Sequence, residues 1–279
     1  SELALAGLLE NLGKTVRIVN PSEIPGSLHF LDPSRRIRKI GESISVDEAA
    51  DTDVVIVLDT SAWAQLLEVG KVLKKTAAAK VVIDHHVSSD DLGAKEFKDV
   101  GAEATGGLVF RMAESLGYAL TPEIAVPLFC AIATDTGWFR FSSTSGETMR
   151  TVGRLIDLGV KPNVLYSQLY EQYSLSRVHL AGRVLDRVTL DADGKIGYTW
   201  VEQADFAATG AAPVDTEDLL NECLRIAGTE CAFIAIEQQN KRIKVSFRSR
   251  TSMNVAAVAE MFGGGGHKKA AGATLSMSL

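Results

Sequence analysis

Two uninterrupted apolar runs constrain this chain more than any other feature. "DVVIVLDTS" (53–61) and "AKVVIDHHVSS" (79–89) each hold Val and Ile at consecutive positions, and "AWAQLLEVGKVLKK" (62–75) between them has helical spacing. A strand with one wet face alternates polar and apolar residues. A continuous run needs both faces covered, as in a parallel sheet built from βαβ units. Ligands of such sheets bind just beyond the carboxyl ends of the strands. One run ends at Asp59 and the other at Asp84-His85-His86.

The rest of the chain fits this frame in its first half and changes texture in its second. "ELALAGLLENLGK" sets Leu5, Leu8, Leu9 and Leu12 on one helical face, with Gly13 as the capping glycine. A strand is expected over 14–19, loop with short helical pieces over 20–50, and helices over 104–117, 121–135 and 144–158. Thr121-Pro122 supplies a cap and a first-turn residue for the second of these helices. Residues 161–184 read as a mostly helical connector. Beyond it come a hairpin turning at Asp193-Gly194, a helix near 216–227 and the strands "CAFIAIEQ" and "RIKVSFRSR". A short helix (254–262), a glycine run and a last strand follow. The expected architecture is α/β: a parallel-sheet domain over 1–160, a linker over 161–184 and a smaller α+β domain over 185–279. The opening helix has no strand before it, unlike the usual order in an α/β fold, so residue 1 is expected to lie inside a longer natural protein.

Composition excludes several classes. At 46% hydrophobic and 23% charged residues the 279-residue chain can bury a sizeable core. No apolar run approaches the roughly 18–20 residues of a membrane span, so no membrane partner is expected. Cys130, Cys223 and Cys231 lack the spacing of a zinc knuckle or disulfide framework and read as buried thiols of a reducing, cytoplasmic compartment. A net charge of −6 argues against coating long nucleic acid. No G-x-G-x-x-G opens a helix after a strand, which counts against a dinucleotide-dependent oxidoreductase.

Three groups of residues carry candidate chemistry, each with a plainer alternative. Asp59 could cap the following helix, and the paired histidines could form a hydrogen-bonded turn. Asp135, in "AIATDTGWFRFSS", closes an apolar helical run where the helix dipole disfavours a carboxylate by about 0.3–1 kcal/mol, a sign that a nearby cation would reverse. The alternative is a tight Asp-Thr-Gly turn. Together, Asp59, His85 and Asp135 make an oxygen-and-imidazole set suited to Mn²⁺, with Mg²⁺, Fe²⁺ or Zn²⁺ as weaker candidates. The second group is "MFGGGGHKKAAGA" (261–273): glycines let backbone approach a phosphate, and His267, Lys268 and Lys269 add positive charge. A flexible loop is the alternative. The third is "SFRSR" (246–250), where Arg248 and Arg250 share a strand face suited to phosphate or to plain solvation.

"VVIDHH", "VLDTS", "AIATDTGWFRF" and "FGGGGHKKAAGA" in this order resemble the DHH phosphoesterase superfamily over essentially the whole chain, closest to nano-RNases that are also 3′-phosphoadenosine 5′-phosphate (pAp) phosphatases. The resemblance implies a larger domain holding two manganese ions and a smaller DHH-associated domain gripping the nucleotide across a cleft. It implies that Asp59 bridges the metals, that His85 and Asp135 are metal ligands, and that His86 lies near the scissile phosphate with Asp84 orienting the imidazoles. Arg248, Ser249, Gly264, Gly265, Gly266 and His267 match the substrate-binding elements. Family members also carry an earlier His-x-x-x-Asp-x-Asp motif on a first strand. Ser1 aligns just past it, so that strand and its ligands are expected to be missing from this sequence.

The implied activity is metal-dependent hydrolysis of short oligoribonucleotides or pAp. The partner is then a short RNA or nucleotide, and a homodimer is compatible with the class. Exopolyphosphatase-like or linear-dinucleotide hydrolysis is the enzymatic alternative. A non-catalytic nucleotide-binding protein is the other, should the first metal motif be truly absent.

Overall fold

A computed structural model describes residues 1–87 and 89–277. The chain divides into two units, Ser1–Gln172 and Tyr173–Leu279. The connector expected over 161–184 is shared between them: one of its helices, Pro162–Tyr170, lies in the first unit and the other, Leu175–Asp186, in the second.

The first unit runs α1 (Glu2–Asn11), β1 (Ile18–Asn20), β2 (Ile37–Lys39), α2 (Val46–Ala50), β3 (Val54–Leu58), α3 (Trp63–Leu66), α4 (Val69–Lys75), β4 (Ala79–Asp84), β5 (Lys95–Lys98), α5 (Thr105–Ser115), α6 (Pro122–Asp135), α7 (Gly146–Asp157) and α8 (Pro162–Tyr170). The two apolar runs are β3 and β4, paired in parallel with Val54 opposite Ala79 and Leu58 opposite Ile83. Strand β5 adds in parallel on the far side of β4. Both faces of this sheet are covered, as unbroken apolar runs require. Val57 and Val82 pack against Leu66 and Leu73 of α3 and α4. Ile83, Ile56 and Leu58 face the main core, where Phe110, Phe129, Leu128 and Leu155 of α5, α6 and α7 are fully buried.

Three local expectations change. Strand β1 begins at Ile18, not Lys14, and the stretch expected as loop with short helical pieces contains, besides the short helix α2, strand β2 parallel to β1. The side chain of Arg17 is drawn off to the carbonyls of Glu48 and Asp51 at the end of α2. Gly13 does cap α1, with φ +75° and its N–H on the Glu10 carbonyl. Thr121 stands at the N-cap of α6 but its side chain makes no capping bond, leaving the helix start to Pro122.

The second unit holds α9 (Leu175–Asp186), β6 (Thr189–Asp191), β7 (Ile196–Val201), α10 (Gln203–Thr209), α11 (Leu219–Cys223), β8 (Cys231–Glu237), β9 (Ile243–Ser249), α12 (Val255–Glu260), β10 (Gly265–His267) and β11 (Ala270–Leu275). Its sheet has the order β10-β11-β9-β8-β7-β6 and is antiparallel except for β7 against β8. Alternation sorts the strand residues by face. Ala232, Ile234 and Ile236 meet Leu180 and Val184 of α9 and Leu219, Leu220 and Cys223 of α11. Cys231 and Ala271 meet Val255, Ala256 and Ala259 of α12 on the other face. The helix expected over 216–227 is the five-residue α11, entered through Asp218 in the left-handed conformation. Among the described residues, no helix is long and apolar enough to cross a membrane.

Candidate metal centre

Three chain segments bring the predicted ligands together. Asp59 follows β3 in a left-handed conformation, φ +67°, uncommon for a residue other than glycine and a form of strain that gathers at functional sites. Its N–H reaches the Ile83 carbonyl at 3.0 Å, folding the turn over the tip of β4. His85 and His86 leave that tip, and Asp135 closes α6. Ligand atoms of Asp59, His85 and His86 lie within 4.8 Å of one another. His85 Nε2 stands 3.1 Å from Asp135 Oδ2 and 3.5 Å from Asp59 Oδ1.

The tautomer of His85 makes this contact informative. Its Nδ1 lies 3.1 Å from the Ala102 carbonyl, which can only accept, so Nδ1 carries the proton. In the neutral ring, the form that ligates a metal, Nε2 then presents its lone pair; the atom is buried and has no hydrogen-bond partner. A lone pair aimed at two carboxylates is repulsive unless a cation stands among them. Two donors about 2.1–2.3 Å from one ion at 90–110° would be about 3.0–3.8 Å apart, the range seen here. The donor set therefore fits a divalent ion. Burial, with repulsion from Asp59 added, holds the Asp135 carboxyl above its ordinary pKa.

Behind the imidazoles lies Asp84, with no exposed surface. Its Oδ1 accepts from the His85 N–H at 2.8 Å, the His86 N–H at 3.1 Å and His86 Nδ1 at 2.8 Å. Its Oδ2 accepts from the Ser61 hydroxyl at 2.6 Å. Burial works to raise its pKa, but the bonds from Ser61 and His86 outweigh it, and the group lies below the ordinary carboxylate value. Three participants carried no sequence signal. Thr105, at the start of α5, donates to Asp59 Oδ1 at 2.8 Å. Ser61 holds Asp84, and Lys98, from the charged edge strand β5, reaches Ser61 Oγ at 3.1 Å.

The Asp-Thr-Gly segment does turn, and it leaves Asp135 beside the His85 ring. Gly137, Trp138 and Phe139 follow with φ of +58°, +58° and +65°. The Trp138 ring is held edge-on by Phe129, Tyr166 and Tyr170 at 5.0–5.8 Å between centroids. A cavity of about 530 Å³ opens beside Asp59, Thr105 and Asp135, lined also by Asn20, Glu23 and Cys130.

In the second unit the glycine run is not an open loop. Gly265–His267 is strand β10, antiparallel to β11. Register places His267 opposite Ala270, and Ala270 opposite Arg248, so His267 and Arg248 share one face about 10 Å apart across a small-residue floor. Gly265 and Gly272 lie on that face too. Ser249 does not: it is buried on the opposite face, and its Oγ accepts from the Thr251 N–H. Gly264 and Gly266 answer to packing, since a Cβ on either would overlap the β11 backbone, 2.7 Å from Ala273 Cα and 2.6 Å from Ala271 Cα respectively.

Comparison with known proteins agrees with this picture. Residues 1–132 match the model of the DHH family N-terminal domain, and residues 194–278 match the DHHA1 domain. The bifunctional oligoribonuclease and PAP phosphatase NrnA of Thermus thermophilus is 30% identical over 275 residues, 99% of this chain and 79% of that protein. The protein of the same name from Bacillus subtilis is 26% identical over 82% of this chain and 72% of its own length. Among solved structures, an exopolyphosphatase-related protein from Bacteroides fragilis superposes with a TM-score of 0.92 at 25% identity, covering 99% of this chain and 83% of that one.

Proposed function

Because the chain belongs to the DHH family, we propose that it is a divalent-metal-dependent phosphoesterase acting on short oligoribonucleotides and on pAp. The observation that carries the reading is the unpartnered His85 Nε2, buried between Asp59 and Asp135. Relatives named as oligoribonuclease and PAP phosphatase support the substrate class.

In this reading Asp59, His85 and Asp135 would hold a divalent ion, with Mn²⁺ the preferred occupant. Once bound there, such an ion would supply Lewis acidity, lowering the pKa of a water and offsetting phosphoryl charge. Asp84 holds His86 by Nδ1, so His86 turns Nε2 outward, where the protonated ring would donate to a phosphoryl oxygen and offset its growing charge. Thr105 fixes the rotamer of Asp59. Arg248 and His267 bind a further phosphate over the Gly265–Ala270 floor, the guanidinium giving a forked contact. A pocket of this kind needs few cations, which suits a chain of net charge −6. The three cysteines, buried and unpaired, accord with a cytoplasmic setting.

The test is to incubate the intact protein with Mn²⁺ and RNA of two to five nucleotides, or pAp, and to follow mononucleotide or phosphate release. Release that disappears with chelator and in His85→Ala supports the assignment. No release from either substrate, or release indifferent to His85→Ala, overturns it.

A further inference from the structure

We propose that Arg242, Lys244, Ser246 and Arg248, in file along β9, form a track for successive phosphates of single-stranded RNA, by which the second unit measures substrate length. The proposal rests on the phosphoesterase reading for its first phosphate, the one given to Arg248 and His267.

Strand β9 alternates two kinds of residue. Ile243, Val245 and Ser249 are buried, and Phe247 packs against the α12 cluster, so these four share one face. Lys244, Ser246 and Arg248 take the other, where Lys244 is exposed. The Gln238 N–H bonds to the Arg242 carbonyl at 2.8 Å, which carries the ladder one residue beyond β9 and sets Arg242 on the Lys244 face. Three cations and a hydroxyl therefore stand at alternate positions of one strand.

Nothing in the sheet beside this row answers its charge. On the β8 side, Lys244, Ser246 and Arg248 meet Ile236, Ile234 and Ala232. On the β11 side they meet Thr274, Gly272 and Ala270. Neither flank offers a carboxylate. Strand β2 is built the other way, with Arg38 and Lys39 given to Glu48 and Glu42. Cations aligned without counter-charge repel one another, and a polyanion laid along them removes that repulsion.

Spacing selects the polyanion. Alternate residues of a strand are about 6.8 Å apart, near the separation of successive phosphates in an extended RNA strand. Inorganic polyphosphate shares its bridging oxygens and repeats far more closely, so it cannot give one phosphate to each side chain. From Arg248 to Arg242 the row runs about 20 Å, enough for four phosphates. The small residues Ala270 and Gly272 alongside leave room for the sugars. Contacts of this kind position a strand without reading its bases, so length and not sequence is sensed.

The experiment is titration calorimetry on the intact protein in chelator, at several salt concentrations, with RNA of two and of five nucleotides and with a short polyphosphate. The parent should bind the longer RNA about tenfold more tightly, the worth of a hydrogen bond to a charged group. Its salt dependence should also be steeper, because each single-strand phosphate contact adds about 0.7 to the slope of log K against log salt. The double variant Arg242→Gln/Lys244→Gln should lose about 1.4 of that slope and bind both lengths about equally. Lys244→Arg should keep the slope. A parent that binds both lengths alike, or a double variant that weakens both equally, overturns the proposal. So does polyphosphate losing as much slope as RNA. Hydrolysis with Mn²⁺ is followed in parallel. A length effect on binding without any hydrolysis keeps the track and refutes the phosphoesterase reading; pAp hydrolysis without a length effect keeps that reading and refutes the track.

Discussion

Replacing the glycines of the 263–266 run one at a time should separate what the sheet needs from what a ligand needs. The structure assigns each a different constraint. Gly264 has β11 backbone against the place its Cβ would occupy, with Ala273 Cα and Cβ both 2.7 Å away. Backbone cannot rotate aside, so β10 must shift or detach. Overpacking of this kind costs about 1–3 kcal/mol. In a domain near 100 residues each 1 kcal/mol moves Tm by about 4–8 °C, so Gly264→Ala should lower the second unit's melting point by about 4–24 °C. Gly266, with φ +144° and the Ala270 carbonyl oxygen 2.6 Å from a built Cβ, should behave alike. Gly263, at φ +71° in open space, bears only the left-handed penalty of about 1–2 kcal/mol. Gly265 has no atom within 4 Å of its added Cβ and no positive φ. There Ala should hold or raise stability by up to about 1 kcal/mol through the unfolded chain. Its methyl, however, projects onto the face shared with His267 and Arg248, so Gly265→Ala should weaken pAp binding about tenfold, or 1.4 kcal/mol. Scanning calorimetry and titration calorimetry on the four variants read both quantities. The reasoning is refuted if Gly265→Ala melts as low as Gly264→Ala, or if Gly264→Ala melts like the parent.

Thr105→Val keeps the shape of a buried side chain and removes the bond to Asp59; Mn²⁺ affinity by titration calorimetry should fall about tenfold while the metal-free melting point changes little. Asp205, fully buried, accepts from Arg187 and Arg183 and caps α10 at the Glu202 N–H; Asp205→Asn should cost about 3–5 kcal/mol at pH 7 by urea unfolding. The same residue gives an acid signature. Hydrogen bonding from Arg187, opposed by burial, holds its carboxyl below the ordinary value. Its stabilisation is thus complete above the unfolded pKa near 3.9 and is lost as pH falls through the lower folded value. Unfolding free energies at pH 7 and pH 2.5 should differ more for the parent than for Asp205→Asn.

Much of the fold and half of the site could be read from residue order. Continuous Val/Ile runs demand cover on two faces, and that requirement located β3, β4 and the tips carrying Asp59 and His85. Strand β5, "KEFK", is a charged edge and β2, "IRK", is three residues long; neither presents a hydrophobic period to detect. The α11 segment misleads in the other sense: its apolar spacing continues past Cys223, while the backbone stops helical bonding after one turn. At the site, the candidate residues announce themselves because charge at the end of a buried strand is costly without purpose. Their supports do not. Thr105, Ser61 and Lys98 act through bonds spanning 46, 23 and 37 positions in sequence, and each residue type is ordinary in its own segment. The glycine run shows the converse: its composition suggested a phosphate loop, but strand pairing explains Gly264 and Gly266, leaving Gly265 to the ligand face.

The measurement that bears most directly on the account is anomalous diffraction at the manganese edge from crystals of the intact protein grown with Mn²⁺. The account predicts a peak bounded by Asp59, His85 Nε2 and Asp135, abolished in His85→Ala crystals. A map with no peak there, or with the His85 ring turned so that Nε2 bonds a protein group, would contradict it.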